Sequence, residues 1–250
     1  MPGFASISIA NALKIASVNL CADEYLLMLA RPDEIASVTR LAQDPLESTL
    51  WRKARHYPAN RGSLETIVGT RPSWLLTMGG SGKSTALIAR RLGIRTLDLP
   101  APTDIATVEA NLRSVAAALG DASRAEPLLR QIAHLRATSP AKSTDTMLVS
   151  GGGTSVGAWS AVKEWMRLAG LSQRQLPGGK VTLETLLTAP PAILLRSDYR
   201  SGQMSAGQGW FDHPIVRHLA KRTEVTDGRV WTCAGPLMVA EIERLKRATQ

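Results

Sequence analysis

A chain of 250 residues with 44% hydrophobic and 20% charged side chains is long enough to bury a sizeable core and too apolar to be disordered. Lysine and arginine number 30 against 21 acids, a net charge of +9, yet the excess is spread thinly and lacks interleaved aromatics, which argues against a nucleic-acid surface. No run approaches ~18 consecutive apolar residues, so no segment reads as a membrane-spanning helix.

Met1 to Ala12 has neither the cationic start nor the apolar core of a secretory signal, so this stretch reads as a cytosolic start or as a chain lacking its leader. Beyond it, short apolar runs alternate with helical patterns, the arrangement that builds a parallel sheet covered by helices. Ile15 to Leu20 reads as a strand, Asp23 to Ala30 as a helix stopped by Arg31-Pro32, and Ile35 to Val38 as a second strand. Leu64 to Thr70 reads as a short helix, Trp74 to Thr77 as a strand, Ser84 to Leu92 as a helix closed by Gly93, and Thr96 to Leu99 as a strand. From Asp104 the spacing changes: Ile105, Val108, Leu112, Val115 and Leu119 fall on one helical face, and a second helix spans Ser123 to Ala137. Strands resume at Met147 to Ser150, Ile193 to Arg196 and Arg229 to Thr232, with helices at Ser160 to Ala169, Leu183 to Thr188, Pro214 to Ala220 and Pro236 to Ala248.

An internal repeat organises these elements. Leu64-Glu65-Thr66, Pro72 and Leu75-Leu76 recur as Leu183-Glu184-Thr185, Pro191 and Leu194-Leu195, at a constant offset of 119 residues. The pattern predicts an α/β fold with two Rossmann-like lobes, residues 13–103 and 144–250, about a helical connector at 104–143.

Several features point to chemistry. Gly79-Gly80-Ser81-Gly82-Lys83-Ser84-Thr85 resembles a phosphate loop, and a nucleotide-dependent cytosolic enzyme using Lys83 is the alternative reading. The spacing fails, because Thr77 stands where the first glycine belongs, and Asp98 is the sole acid placed to hold magnesium. Gly151-Gly152-Gly153 follows the strand ending at Ser150, so it takes in the second lobe the place of the first glycine turn, and two such turns at strand C-termini would line a shared cleft. The four histidines show no triad spacing, and Cys21 and Cys233, the two cysteines, show no zinc spacing, so neither a catalytic residue nor a metal centre is expected. Trp74 and Trp165 read as core, while Trp159, Trp210 and Trp231 sit near loop ends, where a flat ring packs on a large ligand.

Five segments taken in order carry a resemblance over nearly the whole chain: Val18-Asn19-Leu20-Cys21-Ala22-Asp23-Glu24; Arg61-Gly62-Ser63-Leu64-Glu65 with Arg71-Pro72; Arg91-Leu92-Gly93-Ile94; Asp212-His213-Pro214; and Trp231-Thr232-Cys233-Ala234-Gly235-Pro236. Together they resemble the substrate-binding proteins of bacterial ABC importers for cobalamin and iron siderophores, whose two lobes are joined by one long helix. The resemblance implies a periplasmic monomer with no cofactor and no turnover, which carries a metal chelate to a membrane permease and its ATPase without inserting into the membrane. It maps the permease-docking glutamates onto Glu65 and Glu184, the two acids that the repeat also picks out. Where cobalamin binders carry cleft aromatics this chain has Leu41, Ala59, Met78 and Gly178. Arg40, Arg61 and Lys180 would suit an anionic ferric siderophore, whereas Met78, Trp159 and Trp231 would wall a corrinoid. Gly79, Gly80, Gly152, Gly153 and Trp210 complete the expected ligand set. Cys21 and Cys233 come to the same cleft by resemblance, either as a bridge or as two thiols at the ligand site.

Overall fold

The computed structural model describes residues 13–80, 82–155, 161–199, 209–219 and 222–249. The first sheet holds β1 (Ile15–Ser17), β2 (Ile35–Thr39), β3 (Ala59–Asn60), β4 (Trp74–Met78) and β5 (Arg95–Leu99), all parallel, in the order β3-β2-β1-β4-β5. Ile15 lies opposite both Ile35 and Trp74, which makes β1 the central strand. Helices α1 (Leu20–Leu29), α2 (Trp51–Ala54), α3 (Leu64–Ile67) and α4 (Lys83–Arg91) connect these strands.

Strand β1 is shorter than its apolar run suggests, and α1 starts three residues earlier than Asp23. Asn19 is the reason: its side-chain carbonyl accepts from the Cys21 and Ala22 amides at 2.9 and 3.2 Å, satisfying two free donors of the first turn.

In chain order two helices, α5 (Ile105–Ala118) and α6 (Glu126–Ala137), join the two sheets, as the apolar spacing predicts, where the resemblance implied one long helix. Gly120 takes a left-handed backbone (φ +75°) after α5, Asp121 caps the next turn by accepting from Ser123, and the chain folds back. The predicted stripe of Ile105, Val108, Leu112 and Val115 is buried. Arg124 ties the connector to the first lobe through Glu34, and the Ile105 amide ties it to the second, donating to Glu164 at 2.6 Å.

The second sheet holds β6 (Thr144–Ser150), β7 (Thr154–Ser155), β8 (Leu171–Gln173), β9 (Ile193–Asp198) and β10 (Thr223–Asp227). Strand β6 pairs with β8 and β9 in parallel and with β7 antiparallel, and β10 pairs with β9 in parallel at the edge. Helices α7 (Ala161–Leu168), α8 (Leu183–Thr188), α9 (Pro214–Leu219), α10 (Gly228–Cys233) and α11 (Met238–Thr249) complete the lobe. The strand expected at Arg229 to Thr232 is therefore wrong: that run is helical, and the edge strand is the more polar Thr223–Asp227 just before it. A four-residue apolar run carries no decisive period, and Asp227 decides it by accepting from the Arg229 amide at 3.0 Å as a helix cap.

Alternation along the strands sorts the core into three parts. Leu76, Leu148, Ile193 and Leu195 join one continuous cluster that also takes in α1, α5, α6, α7 and α11, so both sheets share a single interior. Leu75 faces a smaller cluster rich in alanine behind the first sheet, while Met147, Val149 and Leu194 face another behind the second.

Candidate functional site

The C-terminal edges of the two sheets face each other. Cys21, in the first turn after β1, is bridged to Cys233, the last residue of α10, with their Cα atoms 5.3 Å apart. Beside the bridge, the Tyr199 hydroxyl just past β9 donates to the Glu47 carboxylate in the segment after β2. Arg229 reaches the same segment, donating to the Pro45 carbonyl at 2.6 Å while its guanidinium pairs with Asp227 at 2.5 Å.

A hollow of about 260 Å³ opens on this side, lined by Leu148, Ser150, Thr154, Ser155, Ser197, Tyr199, Gly228, Trp231 and Thr232. It lies at the carboxyl ends of β6 and β9, between which the chain reverses its direction across the sheet, the place where open α/β sheets hold ligands. Two larger hollows lie elsewhere, one of about 430 Å³ at the β10 edge and one of about 480 Å³ around Lys14, Arg71 and Arg95 at the opposite ends of the first sheet's strands. Of these three, the smaller one combines the chain reversal with an aromatic wall and a rim of hydroxyl-bearing residues.

Local bonding fixes that wall. The Trp231 indole donates to the Thr226 hydroxyl at 2.7 Å, Thr226 donates to Glu241, and Arg244 pairs with Glu241 at 2.7 Å. The ring is thereby held with its nitrogen satisfied and 8% of its surface exposed. Gly228 makes the approach possible: a Cβ there would stand 2.5 Å from the Tyr199 Cβ and 2.7 Å from the Ser197 Oγ. Gln173 sets the other rim, accepting from the Leu148 amide at 2.8 Å and donating to Ser155 at 3.1 Å. Asn60 plays the same part in the first lobe, donating to the Ser17 carbonyl at 2.7 Å and the Ser37 hydroxyl at 3.0 Å, so one amide side chain ties β1, β2 and β3 together.

Residues singled out in the sequence fall in several places. Trp231 lines the hollow and Cys21 and Cys233 bridge beside it. Arg40, Leu41 and Arg61 are exposed beyond β2 and β3 on the first lobe's side, and Lys180 is exposed beside Thr154, with which it forms an isolated bridge. Met78 is not among the residues that line this hollow, and its side chain lies in the shared core. Trp210 packs behind the glycine turn, its ring 3.3 Å from where a Gly153 Cβ would stand, against the satellite cluster of the second sheet. Gly152 is exposed in that turn, Gly153 is buried beneath it, and Trp159 lies outside the described residues. Glu65 and Glu184 are exposed in the first turns of α3 and α8, and the Ser63 hydroxyl with the first-turn backbone holds the Glu65 carboxyl below the usual range.

The first glycine turn is no phosphate cradle. Asp98 accepts from the Thr77 hydroxyl at 2.6 Å and from the Gly80 amide at 3.4 Å, so a carboxylate of the chain itself already holds one amide of the loop. Lys83 folds back over Gly80, whose Cβ would stand 2.6 Å from the lysine Cε.

Sequence reasoning missed Tyr199, Ser197, Ser155 and Glu47. The signal for two of them was legible, since Ser197-Asp198-Tyr199 ends an apolar strand as a polar triplet. Among the described residues no group of three or more His, Cys, Asp or Glu is placed to hold a metal ion, and no helix is long and apolar enough to cross a membrane.

Two largely parallel sheets linked across their carboxyl edges, with a hollow at the carboxyl edge of the second, frame the candidate site. Residues 15–223 match the family described as periplasmic binding protein, and the chain belongs to it. No curated protein matches the chain. Among solved structures it is similar to the periplasmic haem-binding protein RhuT of Roseiflexus sp. RS-1, with 20% identity, a TM-score of 0.73, and 95% of this chain and 97% of that one covered. It is also similar to the periplasmic haem-binding protein HutB of Vibrio cholerae, with 15% identity, a TM-score of 0.76, and 95% and 98% covered. The petrobactin-binding protein YclQ of Bacillus subtilis follows the same fold at 13% identity and a TM-score of 0.71, with 95% and 92% covered.

Proposed function

We propose that this protein is the solute-binding component of an ABC importer, acting in the periplasm, which takes up an iron chelate of the haem type between its lobes and hands it to a membrane permease. The observation that carries the reading is the hollow beside Tyr199 and Trp231. Trp231 and Leu148 supply an apolar wall for a planar ring, while Ser150, Thr154, Ser155, Ser197 and Thr232 supply hydroxyls at its edge. The Tyr199 phenol is the class of oxygen donor that iron(III) accepts. Lys180, exposed beside Thr154 of the rim, and Arg40 and Arg61, exposed on the first lobe, are cations that suit a ligand carrying carboxylates. Haem-binding and petrobactin-binding proteins of the same fold support an iron chelate over a corrinoid. Glu65 and Glu184, one per lobe and both exposed, are the groups that would meet cations of the permease.

Titration of the purified protein with haemin, ferric petrobactin and cobalamin, followed by absorbance and tryptophan quenching, tests the reading. Haemin is expected to bind, Trp231→Ala and Tyr199→Phe to weaken it by about tenfold or more, and cobalamin to leave the signal unchanged. Silence with both iron ligands, together with ATP hydrolysis lost in Lys83→Ala, would replace this reading with the nucleotide enzyme.

A further inference from the structure

The repeat extends beyond the residues that define it. Val68 and Leu187 are separated by the same 119 positions as Glu65 and Glu184, and each stands three places after its glutamate. Both are among the few large apolar side chains that the described residues leave exposed, Val68 by 45% and Leu187 by 55%. Three residues apart in helical backbone, a glutamate and the aliphatic after it lie on one face. Each lobe thus presents a carboxylate with an aliphatic side chain one turn further on. Both helices are built alike: Leu64 and Ile67 of α3 and Leu186 of α8 are buried beneath, leaving the acid and the aliphatic outward.

We infer that Val68 and Leu187 are the apolar half of a two-point docking surface for the importer's permease, a partner that offers each lobe one cation and one apolar notch. This rests on the importer reading above and adds to it the apolar residues beside each acid. Two copies of one motif call for a partner that itself presents two copies of one complementary motif. The charge balance indicates how the work is divided. A molecule of net charge +9 approaching cations is repelled at long range, and two exposed carboxylates screened by salt offset that repulsion only locally. Burial of Val68 and Leu187 is not screened, so the aliphatics add an attraction that salt leaves in place while the acids set register.

The test is binding of the full chain to the importer's permease–ATPase complex reconstituted in nanodiscs. Val68→Ser with Leu187→Ser is expected to weaken binding by about tenfold or more, with haemin affinity and thermal midpoint unchanged. Val68→Ile with Leu187→Ile, which keeps the apolar surface, is expected to bind as wild type. If the serine pair binds as wild type while Glu65→Arg with Glu184→Arg does not, the inference falls and the importer reading stands. If the arginine pair also binds as wild type, docking through these helices falls with it. Sedimentation that shows wild-type dimers and serine-pair monomers would assign the surface to a second copy of this chain and overturn the inference.

Discussion

After β4 the first lobe turns through Gly79, Gly80 and Gly82, and Asp98 and Lys83 of the same lobe close over that turn. After β6 the second lobe turns through Gly151, Gly152 and Gly153, and the Val181 segment passes so close that a Gly153 Cβ would stand 2.4 Å from its carbonyl. The Val181 amide then donates to the Gly153 carbonyl at 2.7 Å, and the chain continues into the short hairpin whose Thr154 and Ser155 line the hollow. The same glycine-rich composition at the same place in two sheets thus makes a filled turn in one lobe and the rim of a hollow in the other. What differs is the neighbour: a carboxylate and a lysine in the first, a strand-like backbone in the second.

The largest test of this contrast separates the lobes that carry the two turns. Replacing both Cys21 and Cys233 by alanine removes a bridge across 212 positions and is expected to lower stability by roughly 5 kcal/mol in the chain-entropy account, less whatever structure the unfolded chain retains. Urea unfolding of the variant and wild type measures it, and a loss under about 1 kcal/mol would show that the shared core alone holds the lobes together.

A narrower test compares the turns directly. Gly153→Ala meets both a left-handed backbone (φ +73°) and the Val181 carbonyl, and a loss of about 3 kcal/mol or more is expected. Gly79→Ala meets the backbone cost (φ +64°) but only an ordinary contact at 3.4 Å, so about 1 to 2 kcal/mol is expected. Equal losses in thermal unfolding would erase the distinction.

The last test concerns one helix of each lobe. On α7 the Glu164 carboxylate accepts from the Ile105 amide, whereas on α1 Asp23 is buried and its carboxyl is pushed up to about 7 by loss of water, against hydrogen bonds from Thr39 and Ser17 that pull it down. Folded Asp23 therefore keeps its proton up to about pH 7, while the unfolded group ionises near 3.8. The folded chain binds more protons across that window, so stability falls as pH rises through it and levels off above 7. Between pH 5 and pH 8 the loss from Asp23 is about 2 to 3 kcal/mol, and buried Glu24, also raised, adds in the same direction. Asp23→Asn, whose amide oxygen still accepts from Thr39, is expected to flatten the slope, and an unchanged slope would assign it to other groups.

The architecture was legible in the sequence because buried parallel strands read as short apolar runs and because α5 repeats its apolar residues every three or four positions. The 119-residue repeat located α3 and α8 in both lobes. Boundaries set by a single polar side chain were less visible. Asn19 starts α1 at Leu20 inside an apolar run, and Asp227 turns Arg229 to Thr232 into a helix. Only part of the candidate site was readable. Trp231 stood out by its residue type, but Tyr199 and Glu47 meet from positions 152 apart, a pairing that no local pattern encodes. Met78 is expected at the ligand because it stands where cobalamin binders carry a cleft aromatic, and its side chain lies in the shared core.

The bridge from Cys21 to Cys233 also makes a covalent ring of most of the molecule. A protease that nicks any loop inside that ring opens it without dividing it, since the two pieces remain joined through sulfur. A single cut then leaves both lobes, and the interior they share, attached.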